Sequence, residues 1–219
     1  TAFLVAMSPE HLLLAGMVLL LVIDIASDRP RGHLPVALAA VIGATVVAAA
    51  LAIAGYAAAP FPGQLSVDSS AFAAKAIVLV LAIPVLLLAR DEFPDGPFYE
   101  LTLSSLYGAC LILSADSFLT LFLGLELMSI PVYVLVLLGM RRAACTEAAL
   151  KYLILGGAAT AMLLMGVSLQ FGFTGSMSLD SFGLLLDTGS PMAQAAVVLI
   201  LLAFFLKAAI VPFHAWAPD

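Results

Sequence analysis

The chain has 219 residues, of which 64% are hydrophobic and 10% charged, with a formal net charge of -6 and a mean hydropathy of +1.19. That balance excludes an ordinary soluble domain, whose charged fraction is about a quarter. The acidic residues fall mostly in breaks between apolar runs and no basic cluster accompanies them, so nucleic-acid binding is not supported.

Apolar runs of about 17 to 25 residues recur between short polar breaks, the length a helix needs to cross roughly 30 Å of hydrocarbon. No two-residue alternation of the β-barrel kind is present. The expected fold is therefore all-α, a polytopic membrane helix bundle of about seven transmembrane helices.

In chain order, Ser8-Pro9-Glu10 reads as N-cap, first-turn proline and first-turn acid of a span ending near Ser27, before the break Asp28-Arg29-Pro30-Arg31-Gly32. This run is too long for a cleaved leader and has no A-x-A-like exit, so it is a true span. The second span runs from about Leu34 to Ala58 and stops at Pro60-Phe61-Pro62-Gly63. The third runs from about Ser70 to Ala89, with Lys75 near its start and Pro84 inside, and the loop from Arg90 to Pro97 follows. The fourth covers about Phe98 to Ser114. Asp116 or Ser117 caps the fifth, which reaches about Gly139. Thr146-Glu147 opens the sixth, to about Phe171, and Ser190-Pro191 opens the seventh. The chain stops at Trp216-Ala217-Pro218-Asp219, directly after an intramembrane Lys-Pro segment, and reads as the amino-terminal piece of a longer chain.

Orientation follows from the basic loop residues. Arg29, Arg31, Arg90, Arg141 and Arg142 occupy the loops after the first, third and fifth spans, and the other loops carry no Lys or Arg. By the positive-inside rule the amino terminus lies outside. Cys110 and Cys145 have neither metal-ligand spacing nor a disulfide framework and are read as free thiols. With only three scattered histidines beside them, no flavin, haem or iron-sulfur cluster has a ligand set here.

Within the spans the informative residues are ionisable. Glu126 interrupts the apolar run LFLGLELMSIP at a cost of roughly 2.5 to 3.5 kcal/mol, which marks a site where a partner or a proton offsets the charge. At about 1.5 Å per residue, Glu126 lies about 14 Å down the fifth helix, Lys207 about 20 Å down the seventh and Lys151 about 8 Å into the sixth. Opposite charges at neighbouring depths keep one another ionised or pass a proton when one moves; the alternative is a structural ion pair that fixes helix packing. Pro131 withholds a donor from the carbonyl of Leu127 and Pro212 from that of Ala208, each beside an ionisable residue, so both read as helix breaks. His214 extends a possible proton path with a group that titrates near neutral pH.

Other groups have plainer readings. Lys151 is balanced between a functional role and snorkelling to the surface. Lys75 and Glu100 read as interfacial or snorkelling, Asp24 as solvated, and His11 and His33 as interfacial residues at span ends. Gly108, Gly156 and Gly157, with Ser104, read as sites of close helix packing.

Four ordered segments carry a resemblance: LFLGLELMSIPVYVLV at 121–136, EAALKYLILGGAATAMLLMG at 147–166, GFTGSMSL at 172–179 and FFLKAAIVPFHAWAPD at 204–219. They resemble the antiporter-like subunit N of proton-pumping NADH:quinone oxidoreductase, respiratory complex I. The likeness is loose over the whole chain and close over residues 98–219. It implies three amino-terminal helices over 1–97, followed by the start of an antiporter-like inverted repeat over 98–219 with a broken seventh helix.

It further implies that Glu126 and Lys207 form a proton-channel pair, that Lys151 is a further proton-transfer residue, and that about half of a fourteen-span subunit is absent. Opening the pair would weaken the lysine's hold on its proton and drive it onward. The implied setting is a bacterial inner membrane, among other complex I membrane subunits including antiporter-like paralogues. NADH, FMN, iron-sulfur clusters and quinone are expected in the wider complex and no cofactor in this chain. A cation/proton antiporter or membrane-bound hydrogenase subunit would share the motifs. A seven-helix receptor or retinal protein is a remoter alternative, opposed by the proline that follows Lys207.

Overall fold

The computed structural model describes residues 2–26, 32–90, 96–139, 143–186 and 188–214. Arg29, Arg31, Arg141 and Arg142, which carry most of the orientation argument, lie outside the described residues, as does Trp216.

The helices are α1 (Ala2–Ala6), α2 (Ser8–Ala26), α3 (His33–Ile53), α4 (Ser69–Ala89), α5 (Gly96–Ile112), α6 (Phe118–Leu138), α7 (Ala143–Thr174), α8 (Gly183–Leu186) and α9 (Pro191–Lys207). A hairpin of β1 (Ala58–Phe61) and β2 (Leu65–Val67) joins α3 to α4, and a 3-10 turn (Leu179–Phe182) precedes α8. The architecture is an all-α polytopic membrane bundle. Ser8–Ala26, His33–Ile53, Ser69–Ala89, Phe118–Leu138 and Cys145–Thr174 are long and apolar enough to cross a membrane, and Pro191–Lys207 is a shorter apolar helix. The expected fourth span is the 17-residue α5, which carries Glu100 and several hydroxyls.

Two compact units divide the chain, one of Thr1–Ala115 with Leu123–Val132 and one of Asp116–Phe122 with Tyr133–Asp219. The centre of α6 thus belongs to the first unit and its two ends to the second.

In the first unit α2 packs on α3 and α5, and α3 packs on α4. The core between them is fully buried and apolar, with Leu13 and Leu20 from α2, Val41 from α3, Leu79 and Leu86 from α4 and Leu103 from α5. Small residues set the spacing: a Cβ on Gly16 would stand 2.6 Å from that of Ala40. Gly108 brings α5 onto the centre of α6, because a Cβ there would lie 2.7 Å from the Leu127 carbonyl carbon and 2.8 Å from the Gly124 oxygen. The close-packing role expected of Gly108 is what the backbone displays, and beside it Ser105 Oγ donates to the Met128 carbonyl at 3.0 Å.

Two local details differ from expectation. Ser8 does not cap α2; its hydroxyl donates to the Val5 carbonyl at 2.7 Å, because α1 already precedes it. The Pro60-Phe61-Pro62-Gly63 segment does more than stop a helix. It turns a short antiparallel hairpin, Ala58 opposite Val67 and Phe61 opposite Leu65, with Gly63 at φ 73°.

In the second unit α7 packs along α9, with Gly166 against Ala196 and Ile200. Buried Gln170 donates through Nε2 to Ser181 Oγ at 2.7 Å and to the Ser178 carbonyl at 3.3 Å, tying the end of α7 to the 3-10 turn. The segment after α7 is strapped to the start of α6 by Phe118 N–H donating to Met177 O (2.8 Å) and Leu179 N–H to Asp116 O (3.2 Å). Ser117 is the expected cap of α6, its Oγ accepting from Thr120 N–H at 3.2 Å. α7 begins before the expected Thr146 and spans 32 residues, about 48 Å and longer than the hydrocarbon thickness.

Candidate functional site

Of the acids and bases singled out in the sequence, Glu126 falls in the first unit and Lys151, Lys207 and His214 in the second.

Glu126 is half-buried at the middle of α6, and Gly124 and Leu125 before it are buried. Pro131 leaves the Leu127 carbonyl without its helical donor, yet α6 continues unbroken to Leu138. The break expected at Pro131 is therefore absent. The proline is buried inside a continuous helix, and the tight seat of Gly108 against Leu127 and Met128 holds that stretch from outside.

Lys207 is the last residue of α9 and continues its buried stripe of Ala193, Ala196, Ile200 and Ala203 at helical spacing. A cation at that terminus complements the partial negative charge of the final carbonyls. The helix ends there by its own backbone turn. Ala209 N–H donates to Leu206 O at 3.3 Å and Ile210 N–H to Phe205 O at 3.0 Å, with Ala209 at φ 52°. This is a Schellman closure with alanine where glycine is usual, a left-handed residue costing roughly 1 to 2 kcal/mol. The break after Lys207 was expected, but its cause is corrected: α9 has already stopped when Pro212 is reached, so Pro212 lies in the turn beyond, with exposed His214.

Within the second unit, α9 returns antiparallel along α7. Taking Gly166 opposite Ala196 and Ile200 as the register, Lys207 comes level with about Gly157 and Lys151 about 9 Å farther along α7. At that level Tyr133 lies directly on the α7 backbone, where a Cβ on Gly156 would collide with its hydroxyl and stand 2.8 Å from its ring, and Tyr133 meets Tyr152 edge to face at 4.6 Å. Gly156 thus has the packing role expected, whereas a Cβ on Gly157 would meet nothing within 4 Å. Lys151 pairs with Glu147 one turn earlier at 3.0 Å, with side chains 44% and 69% exposed.

The first unit holds two ionisable groupings that sequence reasoning passed over. Glu10 Oε1 and Lys75 Nζ stand 2.6 Å apart with both side chains 0% exposed. The interfacial reading of Lys75 is thereby overturned, as is that of Glu10 as a plain first-turn acid: both are fully buried, with the Phe72 ring centre 5.1 Å from the Lys75 ammonium. At the other end of α2, Asp24 meets His33 Nε2 at 2.5 Å, with His33 3% exposed and stacked on buried Tyr99 at 6.3 Å. His33 is thus buried rather than interfacial, while Asp24 keeps 28% of its side chain exposed. Glu100 lies within electrostatic reach of that pair and has Oε1 buried without a hydrogen bond among the described residues. The available signal was the charge bookkeeping of the spans themselves: Glu10 and Lys75 are opposite charges near the starts of two helices that run in the same direction.

Outside the spans, Asp68 caps α4. The Ala71 N–H and then the Ser70 hydroxyl, each at 2.7 Å, hold its carboxyl below the usual range. Both cysteines are free, Cys110 buried in the core and Cys145 partly exposed. Among the described residues no cluster of His, Cys, Asp and Glu is arranged to hold a metal.

Comparison with known proteins bears on the fold and family of the chain. Residues 115–219 match the sequence profile of the NADH:quinone oxidoreductase/Mrp antiporter transmembrane family. NADH-quinone oxidoreductase subunit N of Pelobacter propionicus is 32% identical over 219 residues, covering 100% of this chain and 47% of that protein. The Geobacillus kaustophilus subunit N is 39% identical, covering 97% and 45%. A chain of respiratory complex I from Thermus thermophilus superposes with a TM-score of 0.83 at 30% identity, over 96% of this chain and 46% of that one. The chain spans about half the length of the curated relatives it matches. The chain is thus similar, through residues 115–219, to the NADH:quinone oxidoreductase/Mrp antiporter transmembrane family.

Proposed function

We propose that the full-length protein is a proton-translocating membrane subunit of an NADH:quinone oxidoreductase, of the subunit N kind, and that this chain carries the first part of its antiporter-like core. The observation that supports this most is the alignment of essentially the whole chain with proteins named subunit N, joined to a lysine at the stopped end of α9 inside the family-matched region. In this reading Glu126 and Lys207 are the channel pair. Lys151 passes protons farther on, and His214 extends the path past the turn that contains Pro212. Moving the acid away from the lysine makes its ammonium costlier to hold in a low-dielectric site, which expels the proton.

No redox centre belongs to this chain. NADH, FMN, iron-sulfur clusters and quinone are bound by other subunits, and their chemistry reaches this one as a conformational or electrostatic signal through neighbouring antiporter-like membrane subunits. The setting is a bacterial inner membrane with the amino terminus on the outer side.

The test is NADH-driven proton uptake by inverted vesicles containing the full-length subunit. Lys207→Ala is expected to lower the protons taken up per NADH oxidised, and an unchanged ratio in an assembled complex overturns the assignment. A second reading, a subunit of a cation/proton antiporter, is favoured by the family description, which names Mrp antiporters beside the oxidoreductase. Sodium-dependent proton movement without quinone reduction would select it.

A further inference from the structure

Lys207 and Lys151 are set apart along the seam of α7 and α9. Lys207 comes level with about Gly157, and Lys151 lies about 9 Å farther along α7. The Lys151 ammonium is drawn the other way, to Glu147 at 3.0 Å. A proton passes between two groups only within hydrogen-bond reach, about 2.6 to 3.2 Å, or through one water. A separation of about 9 Å therefore asks for roughly three hydrogen bonds, and for two groups between the lysines. The backbone of α7 is committed to its own helix, and Leu153, Ile154 and Leu155 in the interval are apolar and exposed, followed by Gly156 and Gly157. Beyond Lys207, residues 208–213 bring no side chain that can carry a proton.

Two hydroxyls stand in that interval. Tyr152 follows Lys151 on α7. Tyr133 comes from the end of α6 that belongs to the same unit and is 7% exposed. Its oxygen is the atom nearest to where a Cβ on Gly156 would stand, ahead of two ring carbons at 2.8 and 3.4 Å, so the hydroxyl itself is seated on α7. The two rings meet edge to face at 4.6 Å. Among the described residues 133–138 of α6 and 152–157 of α7, these tyrosines alone carry a polar side chain. A tyrosine hydroxyl both donates and accepts, the property a relay needs.

We infer that Tyr133 and Tyr152 form a hydroxyl relay between Lys207 and Lys151. A proton leaves the Lys207 ammonium for the Tyr133 oxygen while the Tyr133 hydroxyl hands its own proton to Tyr152. The Tyr152 hydroxyl in turn hands its proton to Lys151, which is in its amine form after passing an earlier proton farther on. One N–H bond breaks at Lys207 and one forms at Lys151. Each tyrosine keeps one O–H bond throughout, so neither becomes a phenolate. The inference rests on the reading of Lys207 and Lys151 as proton-path residues of the full-length subunit.

The experiment measures protons taken up per NADH oxidised, with the solvent deuterium isotope effect on the uptake rate, in inverted vesicles carrying the full-length subunit in a complex whose assembly is verified. Tyr133→Phe keeps the ring against Tyr152 and removes only the hydroxyl. The expected result is a lowered ratio together with a raised isotope effect, because a broken relay makes proton transfer the slow step. An unchanged ratio, or a lowered one with the native isotope effect, overturns the relay and leaves Tyr133 as a packing residue. Should Tyr133→Phe fail to assemble, Gly156→Ala supplies the readout, since its Cβ displaces the end of the Tyr133 side chain; the same results support or overturn the relay. Lys207→Ala run alongside separates the two claims. Loss there with a native ratio in Tyr133→Phe removes only the relay, whereas a native ratio in Lys207→Ala removes the reading on which the relay rests.

Discussion

The two units each contain a Glu–Lys pair of similar length, and the pairs are opposite in almost every other respect. Glu10 and Lys75 join two helices, stand 2.6 Å apart and are 0% exposed. Glu147 and Lys151 lie one turn apart on α7, stand 3.0 Å apart and are 69% and 44% exposed. Distance alone therefore says little about what a pair does. A buried pair has desolvation set against attraction and leaves a stranded charge when one partner is removed, whereas water and ions screen an exposed pair.

Breaking each pair sharpens the contrast. Lys75→Met should destabilise the folded protein by about 3 to 5 kcal/mol, because it strands the Glu10 carboxylate; the denaturation midpoint in detergent measures this. Gly108→Ala should cost about 1 to 3 kcal/mol by forcing α5 away from the α6 backbone, read by the same midpoint. Ala209→Gly should raise stability by about 1 kcal/mol, since glycine adopts the left-handed turn after Lys207 without the Cβ clash. Lys151→Met should change stability by less than about 1 kcal/mol. If its loss matches that of Lys75→Met, burial is not what distinguishes the pairs.

The smallest effect concerns Asp68, whose carboxyl is held below its usual range by hydrogen bonds to Ala71 and Ser70. Because the folded-state value is the lower one, its contribution is present above the unfolded value and fades as pH falls through the folded one. Stability measured from neutral pH to strongly acid pH should show this fading in the native protein and lose that component in Asp68→Asn.

The same contrast explains what was legible in the sequence. Span lengths, breaks and caps could be read, because apolar run length and residues such as Ser117 and Pro191 act locally. The antiporter-like motifs were equally legible, since they lie in contiguous segments. The burial of Lys75 is not legible because its partner Glu10 comes from a distant helix, and that of His33 because Asp24 and Tyr99 meet it from two other helices. Pro131 was misread for a related reason: the cost of a missing donor is local, but whether a helix tolerates it depends on the neighbour packed against it, here α5 at Gly108. The stop after Lys207 was placed correctly and assigned to the wrong residue, because a backbone turn through Ala209 leaves no mark in residue type.

The central claim is that an acid on α6 takes part in moving protons. Its most direct test is Glu126→Gln in the full-length subunit, measured as protons taken up per NADH oxidised by inverted vesicles after assembly of the complex has been verified. A lowered ratio is the predicted result and puts Glu126 on the proton path. A ratio equal to that of the native complex would contradict the account and leave Glu126 as a residue of helix packing.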